Sequence, residues 1–281
     1  MTYNLAMVDL RFNRYMLSPE RSAALIRDCV ERVDDVKSGL GVIELSGSED
    51  ASDIARGIER EVFDHTFGEK MAHTPEFMTH EYGPWEQQSS FYLVLDMENS
   101  APLGAVRVIK GLPNKTTVDL AKGDLLDTAV LDDRGLTSAN TWDITSLAVT
   151  PFTRAAKSRN TTLTLFRCLY VASLAENVKY WTTIIDDGVI QTCSALGMPF
   201  VRLEEVEPLN YLGTDACTYL ADVDDVHRSM TSRAEQAGPR VARRIYAMLE
   251  GAEIVPEMTP QTIVLPDANT ADSESLPSAT S

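Results

Sequence analysis

Hydrophobic positions along the chain switch between two periods. After Ser18, apolar residues recur at Leu25, Ile26, Cys29, Val30 and Val33, three and four apart, as one face of a helix requires. Ser18 fits an N-cap, Pro19 the first helical position and Gly39 the stop. "GVIELSG" (41–47) reads as a short strand between glycines. From Ala51, "ASDIARGIEREVFDHTF" returns to the helical period through Ile54, Ile58 and Val62. Residues 68–88, "GEKMAHTPEFMTHEYGPWEQQ", keep no clear period and predict a loop or broken helix long enough to act as a lid. Phe91–Leu95 and Leu103–Ile109, separated by a polar turn at Glu98–Pro102, predict a hairpin.

Residues 112–140 are polar and turn-rich, with room for one short helix. "TWDITSLAVTP" (141–151) alternates and stops at Pro151, so it predicts a strand, followed by a helix over about 161–176. "VKYWTTIID" is a β-branched and aromatic strand, and "DGVIQTCSALGM" a short helix ending at Gly197. "FVRLEEV" and "ACTYLADV" predict a last pair of strands, and "SRAEQAGPRVARRIYAMLEG" a helix. From Gly251 onward Pro, Ser, Thr and five acids with no base predict a disordered tail. The expected division is a helical extension (1–40), a central domain (41–226), a C-terminal helix (227–250) and the tail (251–281).

Composition narrows the function. With 281 residues, 44% hydrophobic and 24% charged, the chain reads as an ordinary globular protein. A formal net charge of −17 argues against general nucleic-acid binding, which needs a basic footprint. Against that background Arg154, Lys157 and Arg159 fall within six residues, just before a helix. They suit one small polyanionic ligand, although a solvated loop would look the same. No apolar run reaches the roughly 18 residues of a membrane helix, and the first 17 residues make a poor secretory signal. Cys29, Cys168, Cys193 and Cys217 are widely spaced, which predicts free thiols and a cytoplasmic location. The four histidines show no ligand spacing, so no metal and no permanently bound cofactor are expected.

The order strand, helix, hairpin, strand, basic loop, helix, strand, helix, strand pair resembles the GNAT acyltransferase superfamily over roughly Gly41 to Val223. Within it the chain is most similar to the branch of acyl-homoserine-lactone synthases and N-acyl amino acid synthases. "LGAVRVIKG", "WDITSLAVTP" with its basic loop, and "VKYWTTII…SALGMPF" carry the likeness. The resemblance implies an α/β (α+β) fold: a mixed, mostly antiparallel twisted sheet flanked by helices, with helical additions at both ends. It implies an acyltransferase, moving groups other than aminoacyl groups, that takes an acyl group from acyl-CoA or an acyl-phosphopantetheine carrier protein to the amine of an amino acid or other small molecule.

The same resemblance supplies candidate residues. Leu147, Ala148 and Val149 would pair with the pantetheine arm and donate a backbone N–H to the oxyanion. Arg154, Lys157, Ser158 and Arg159 would hold the phosphates, where the superfamily pattern has glycines that this chain lacks. Asp143, in Trp142-Asp143-Ile144-Thr145-Ser146, takes the place of the carboxylate thought to deprotonate the acceptor; it could equally begin a strand. Ser146 replaces an arginine of the lactone synthases, which makes lactone synthesis a minor alternative. Cys193 stands where acetyltransferases often carry a leaving-group tyrosine, and reads equally as a buried thiol. Arg107, Trp85 and Phe166 are candidate substrate contacts, from the hairpin, the 68–88 loop and the helix stripe. Two rival readings stay open: the same fold binding a ligand or partner without turnover, and an assembly protein using helices 18–38 and 233–250 to form a homo-oligomer.

Overall fold

A computed structural model describes residues 17–33, 36–37, 39–68, 74–122, 129–151, 155–203, 208–211 and 214–249. Its strands are β1 (Val36–Lys37), β2 (Leu40–Ser46), β3 (Ser89–Asp96), β4 (Ala101–Lys110), β5 (Thr141–Val149), β6 (Tyr180–Asp186), β7 (Phe200–Arg202), β8 (Leu209–Tyr211) and β9 (Thr214–Asp222). They form one sheet in the order β1-β2-β3-β4-β5-β6-β9-β7, with β8 also paired to β9. Among the described residues every pairing is antiparallel except β5 with β6. That parallel step needs a crossover, which α6 (Ala155–Ala175) provides.

Alternation along the central strands sends side chains into two cores. Phe91, Leu93, Leu95, Ala105 and Ala148 face α1 (Pro19–Glu31) and α2 (Ser52–Phe67). Tyr92, Val94, Val106 and Val108 face the other way, onto α6, and share a core with α8 (Val223–Gln236) and α9 (Pro239–Leu249), which pack on α6 in turn. α6 lies close to the β4–β5 pair because Gly104 has no side chain. A Cβ there would sit 2.8 Å from the Ala148 carbonyl oxygen and 2.9 Å from Thr161 Cγ2.

Several boundaries differ from the expectation. The first helix stops at Glu31, and Val36–Lys37 pair with Gly41 and Leu40 instead of extending it. The 68–88 stretch contains α3 (Pro75–Tyr82), capped by Thr74, and a 3-10 turn over Gly83–Gln88. Residues 112–140 hold two short helices, α4 (Lys115–Lys122) and α5 (Ala129–Asp133). The last long helix is two, because Pro239 lacks an N–H and opens a new helix after Gly238. The boundary expected at 227 therefore falls inside α8. α7 (Asp187–Ala195) ends as expected at Gly197, whose φ of +80° suits glycine. The predicted tail lies outside the described residues.

The helix expected at 161–176 begins earlier, at Ala155. Ala155-Ala156-Lys157 are good helix formers, and without the glycines of the superfamily pattern nothing holds these residues in a loop. The basic cluster thus falls largely within the first turns of α6.

Candidate active site

β5 and β6 pair only at their starts, through Thr141↔Tyr180, Trp142↔Trp181 and Asp143↔Thr182. Beyond that point the strands part. β6 stays bound to β9 over its whole length, from Tyr180↔Asp222 to Asp186↔Ala216, and β5 stays bound to β4. β5 also carries one extra residue. Arg107 pairs with Ser146 and Val108 with Ile144, so Thr145 bulges out of the ladder. A bulge of this kind bends and twists its strand, here at the place where the two strands separate.

The gap is a cavity of about 260 Å³ that passes from one sheet face to the other. Ile144 to Leu147 and Thr183 to Asp186 form its sides; Val62 and Phe63 of α2 close one face, Phe166 and Leu169 of α6 the other. Among the described residues its wall is mostly apolar, with the carboxylate of Asp186 and no lysine or arginine. Asp186 is also the N-cap of α7, accepting from the Gly188 and Val189 N–H groups at 2.8 and 3.0 Å.

The parting leaves backbone groups of β5 free to meet a ligand. The Thr150 N–H donates to the Leu103 carbonyl at 2.9 Å, and Ala148 and Ser146 pair with Ala105 and Arg107. Antiparallel ladders alternate the side on which successive residues bond. The N–H and C=O of Leu147 and Val149 are therefore turned away from β4, toward the gap. The Ala148 side chain is buried in the α2 core, while Leu147 and Val149 lean on the α6 core.

On the α2 side an ionic group closes the wall. Arg107, 3% exposed, donates to Glu59 Oε2 at 2.5 Å, and Ser146 Oγ donates to the other Glu59 oxygen. The Arg107 guanidinium lies over the Tyr82 and Phe91 rings, at 4.0 and 4.6 Å. Across Tyr82, Lys115 is paired with Glu81 at 3.0 Å and Asp119 at 2.5 Å, and sits 4.9 Å from the Tyr211 ring centroid. Arg107 is thus neutralised by Glu59 and does not reach the cavity wall as a free cation.

Asp143 is fully buried and faces the start of α4. Its two oxygens accept from the Thr116 N–H and the Thr116 hydroxyl, each at 2.7 Å. Burial pushes its carboxyl up to about 7, against the opposing Thr116 hydrogen bonds and Lys115 charge. It is separated from the residues that line the cavity, although its neighbours Ile144 and Thr145 are among them. Cys193 does line the cavity; burial pushes its thiol up to about 11, so it is neutral at physiological pH. Phe166 lines the cavity as well. Trp85 sits half-buried in the 3-10 turn, away from it. Arg154 lies outside the described residues, and of Lys157, Ser158 and Arg159 only the helical backbone is described.

The structure thus brings Leu147, Phe166 and Cys193 to one cleft, leaves Val149 farther along β5 outside its lining, and sets Asp143, Arg107 and Trp85 behind or beside it. Sequence reasoning missed Glu59, although a signal existed. It is four residues from Ala55, on the apolar stripe of α2, where an unpartnered carboxylate would be costly. The Thr145 bulge left no sequence signal.

No protein-family model and no curated protein matches the chain. Solved structures do. FeeM, an N-acyl amino acid synthase from uncultured soil microbes, is 15% identical with a TM-score of 0.52, covering 71% of this chain and 98% of its own. The AHL synthase LasI is 12% identical with a TM-score of 0.47, over 69% of this chain and 94% of its own. Tetrahymena GCN5 is 10% identical with a TM-score of 0.40, over 65% and 94%. The likeness to FeeM is one of fold, here a mixed, mostly antiparallel sheet flanked by helices and opened between two central parallel strands.

Proposed function

We propose that this chain is an N-acyltransferase that takes an acyl group from a thioester, acyl-CoA or an acyl carrier protein, and transfers it to the amine of an amino acid or another small molecule. The observation that carries the reading is the cavity between β5 and β6, bordered by Leu147, whose backbone groups turn away from β4 as those of Val149 do farther along the strand. A thioester laid along β5 would extend the sheet by strand-like pairing, its carbonyl beside these donors. The donors are fixed before the reaction, so developing negative charge on the carbonyl oxygen is stabilised without reorganisation. The amine would take the α2 face of the cavity, and the acyl chain the α6 face. The first N–H groups of α6 lack intrahelical partners and suit the carrier's phosphate.

The amine must lose a proton and the thiolate must be stabilised as it departs. Cys193 stays protonated and suits a hydrogen bond to the leaving sulfur. Asp143, held near neutrality, is the base this reading retains. Purified protein given mixed acyl-CoA thioesters and amines, analysed by mass spectrometry, should yield N-acyl products; no thioester consumption at any chain length would overturn the proposal. One observation favours a second reading, in which the cleft binds an acyl thioester without turnover: Thr116 already occupies both oxygens of Asp143. Binding of acyl-CoA with no product from any amine would select it.

A further inference from the structure

A second, much smaller cavity, about 10 Å³, lies behind the α6 side of the cleft. Two residues, Phe166 and Trp181, belong to the walls of both. The far wall is built by the C-terminal helices: Val226 and Met230 from α8, Met248 and Leu249 from α9, with Met198 beside them. The partition between the two spaces is therefore a pair of aromatic rings.

The two rings differ in how they are held. Trp181 is 1% exposed, its indole N–H donates to Ser173 Oγ at 2.8 Å, and its ring stands edge-on to Tyr170 at 6.4 Å. It is fixed from two directions. Phe166 is only half-buried and offers no polar atom to anchor it. Its ring is the less firmly held part of the partition. Behind it stand three methionines, Met198, Met230 and Met248, whose unbranched side chains repack with little penalty. Most of the space they enclose is occupied by adaptable side chains, which explains why so little of it is empty.

We infer that Phe166 is the chain-length stop of the cleft, and that the methionine-lined space behind it is an extension that takes the end of a longer, unbranched acyl tail. The wall there is apolar apart from the Tyr170 hydroxyl, which suits a hydrocarbon end and no charged or sugar-like group. The inference rests on the acyl-thioester reading above, and it adds what that reading lacks: the residue that sets the length. Because α8 and α9 form the floor, the extension is a contribution of the C-terminal helices.

The test is calorimetry of the full chain with non-hydrolysable S-alkyl-CoA thioethers of increasing length. For the wild type, affinity should rise about fourfold per added methylene, the equivalent of the usual burial increment, then reach a plateau. Phe166→Ala should move that plateau to tails longer by about four methylenes, as the ring it removes vacates comparable space. Phe166→Leu, a milder change that preserves packing, should move it part of the way. Phe166→Ala/Met230→Trp, which refills the space from α8, should return it to the wild-type length. The same plateau in all four proteins, with melting curves showing them folded, overturns the inference while leaving acyl binding intact. Failure of every thioether to bind the wild type overturns the acyl-thioester reading itself, and the length stop with it.

Discussion

Replacing Asp143 with asparagine should stabilise the protein at pH 8 relative to the wild type, and the advantage should shrink steadily as the pH falls from 7 toward 5. The reason is burial. A carboxylate enclosed beside Thr116, with Asp119 also repelling it, has its pKa raised from 3.8 to about 7. Below 3.8 the carboxyl is protonated both folded and unfolded, and stability does not depend on it. Between 3.8 and 7 the unfolded chain releases its proton and the folded chain keeps it, so stability falls as pH rises, by 1.36 kcal/mol per pH unit. Above 7 both states are ionised and the loss, about 4 kcal/mol in all, is complete.

Asparagine has the shape of the protonated acid and no such titration. Its carbonyl can accept from the Thr116 N–H, and its amide can donate to the Thr116 hydroxyl once that hydroxyl rotates. Urea denaturation of both proteins at pH 5, 6, 7 and 8 should show the stability difference moving in favour of the variant by about 3 kcal/mol across that range. Subtracting one protein from the other removes the titrations they share. A difference that stays constant from pH 5 to 8 would show that the carboxyl ionises normally and that the burial argument is wrong. Activity gives the same ionisation an opposite readout. If Asp143 accepts the amine's proton, wild-type turnover should rise through about pH 7 as stability falls, and the variant should be inactive throughout. A variant that is more stable at pH 8 and fully active would leave Asp143 only the task of capping α4.

Further outcomes follow from the same contacts. Glu59→Gln leaves the Arg107 charge buried without its partner and should lower stability by about 3–5 kcal/mol in urea titration, whereas Glu59→Leu/Arg107→Met, which removes both charges, should recover most of that loss. Cys193→Ala should cost about 1 kcal/mol and slow turnover modestly without shifting the pH profile, because the thiol, at about 11, is neutral throughout the working range; a lost alkaline limb in the profile would contradict this. Gly197→Ala forces a side chain into φ +80° with its Cβ 2.5 Å from Arg233 Cβ, and should lower stability by about 2 kcal/mol or more, readable as a lower melting temperature.

How much of this was legible in the sequence depended on how local the determining force was. The hairpin of β3 and β4, the β5 strand and the α7 stop at Gly197 are set by periods and turn residues within ten positions of one another, and they appear where expected. The start of α6 was misplaced because the basic cluster was weighed as charge when its helix propensity decided the matter. The single C-terminal helix was expected because its apolar stripe runs through Gly238-Pro239, yet the missing N–H of proline divides it. The site was harder still. Leu147 and Val149 were assigned by resemblance, but what frees their backbone is the Thr145 bulge and the grip of β9 on β6, two long-range facts that no residue type announces. The partners of Arg107 and Asp143 lie 48 and 27 residues away, beyond the reach of any spacing argument.

The ionic group behind the cleft fits this picture of a wall held in position. Glu59 comes from α2, Arg107 from β4 and Ser146 from β5, and the three meet where Thr145 leaves the ladder. A buried ion pair seldom adds net stability over well-packed apolar residues, so the energetic argument alone gives no reason for it here. Its directional bonds do something apolar packing cannot. They fix the register of α2 against β4 and hold Ser146 pointing toward Glu59. The ladder with β4 turns the neighbouring Leu147 N–H to the gap. Apolar contacts, which tolerate sliding by an ångström, would keep the helix on the sheet without fixing its register there. The charge cluster is therefore best understood as the device that seats α2 against the bulged stretch of β5.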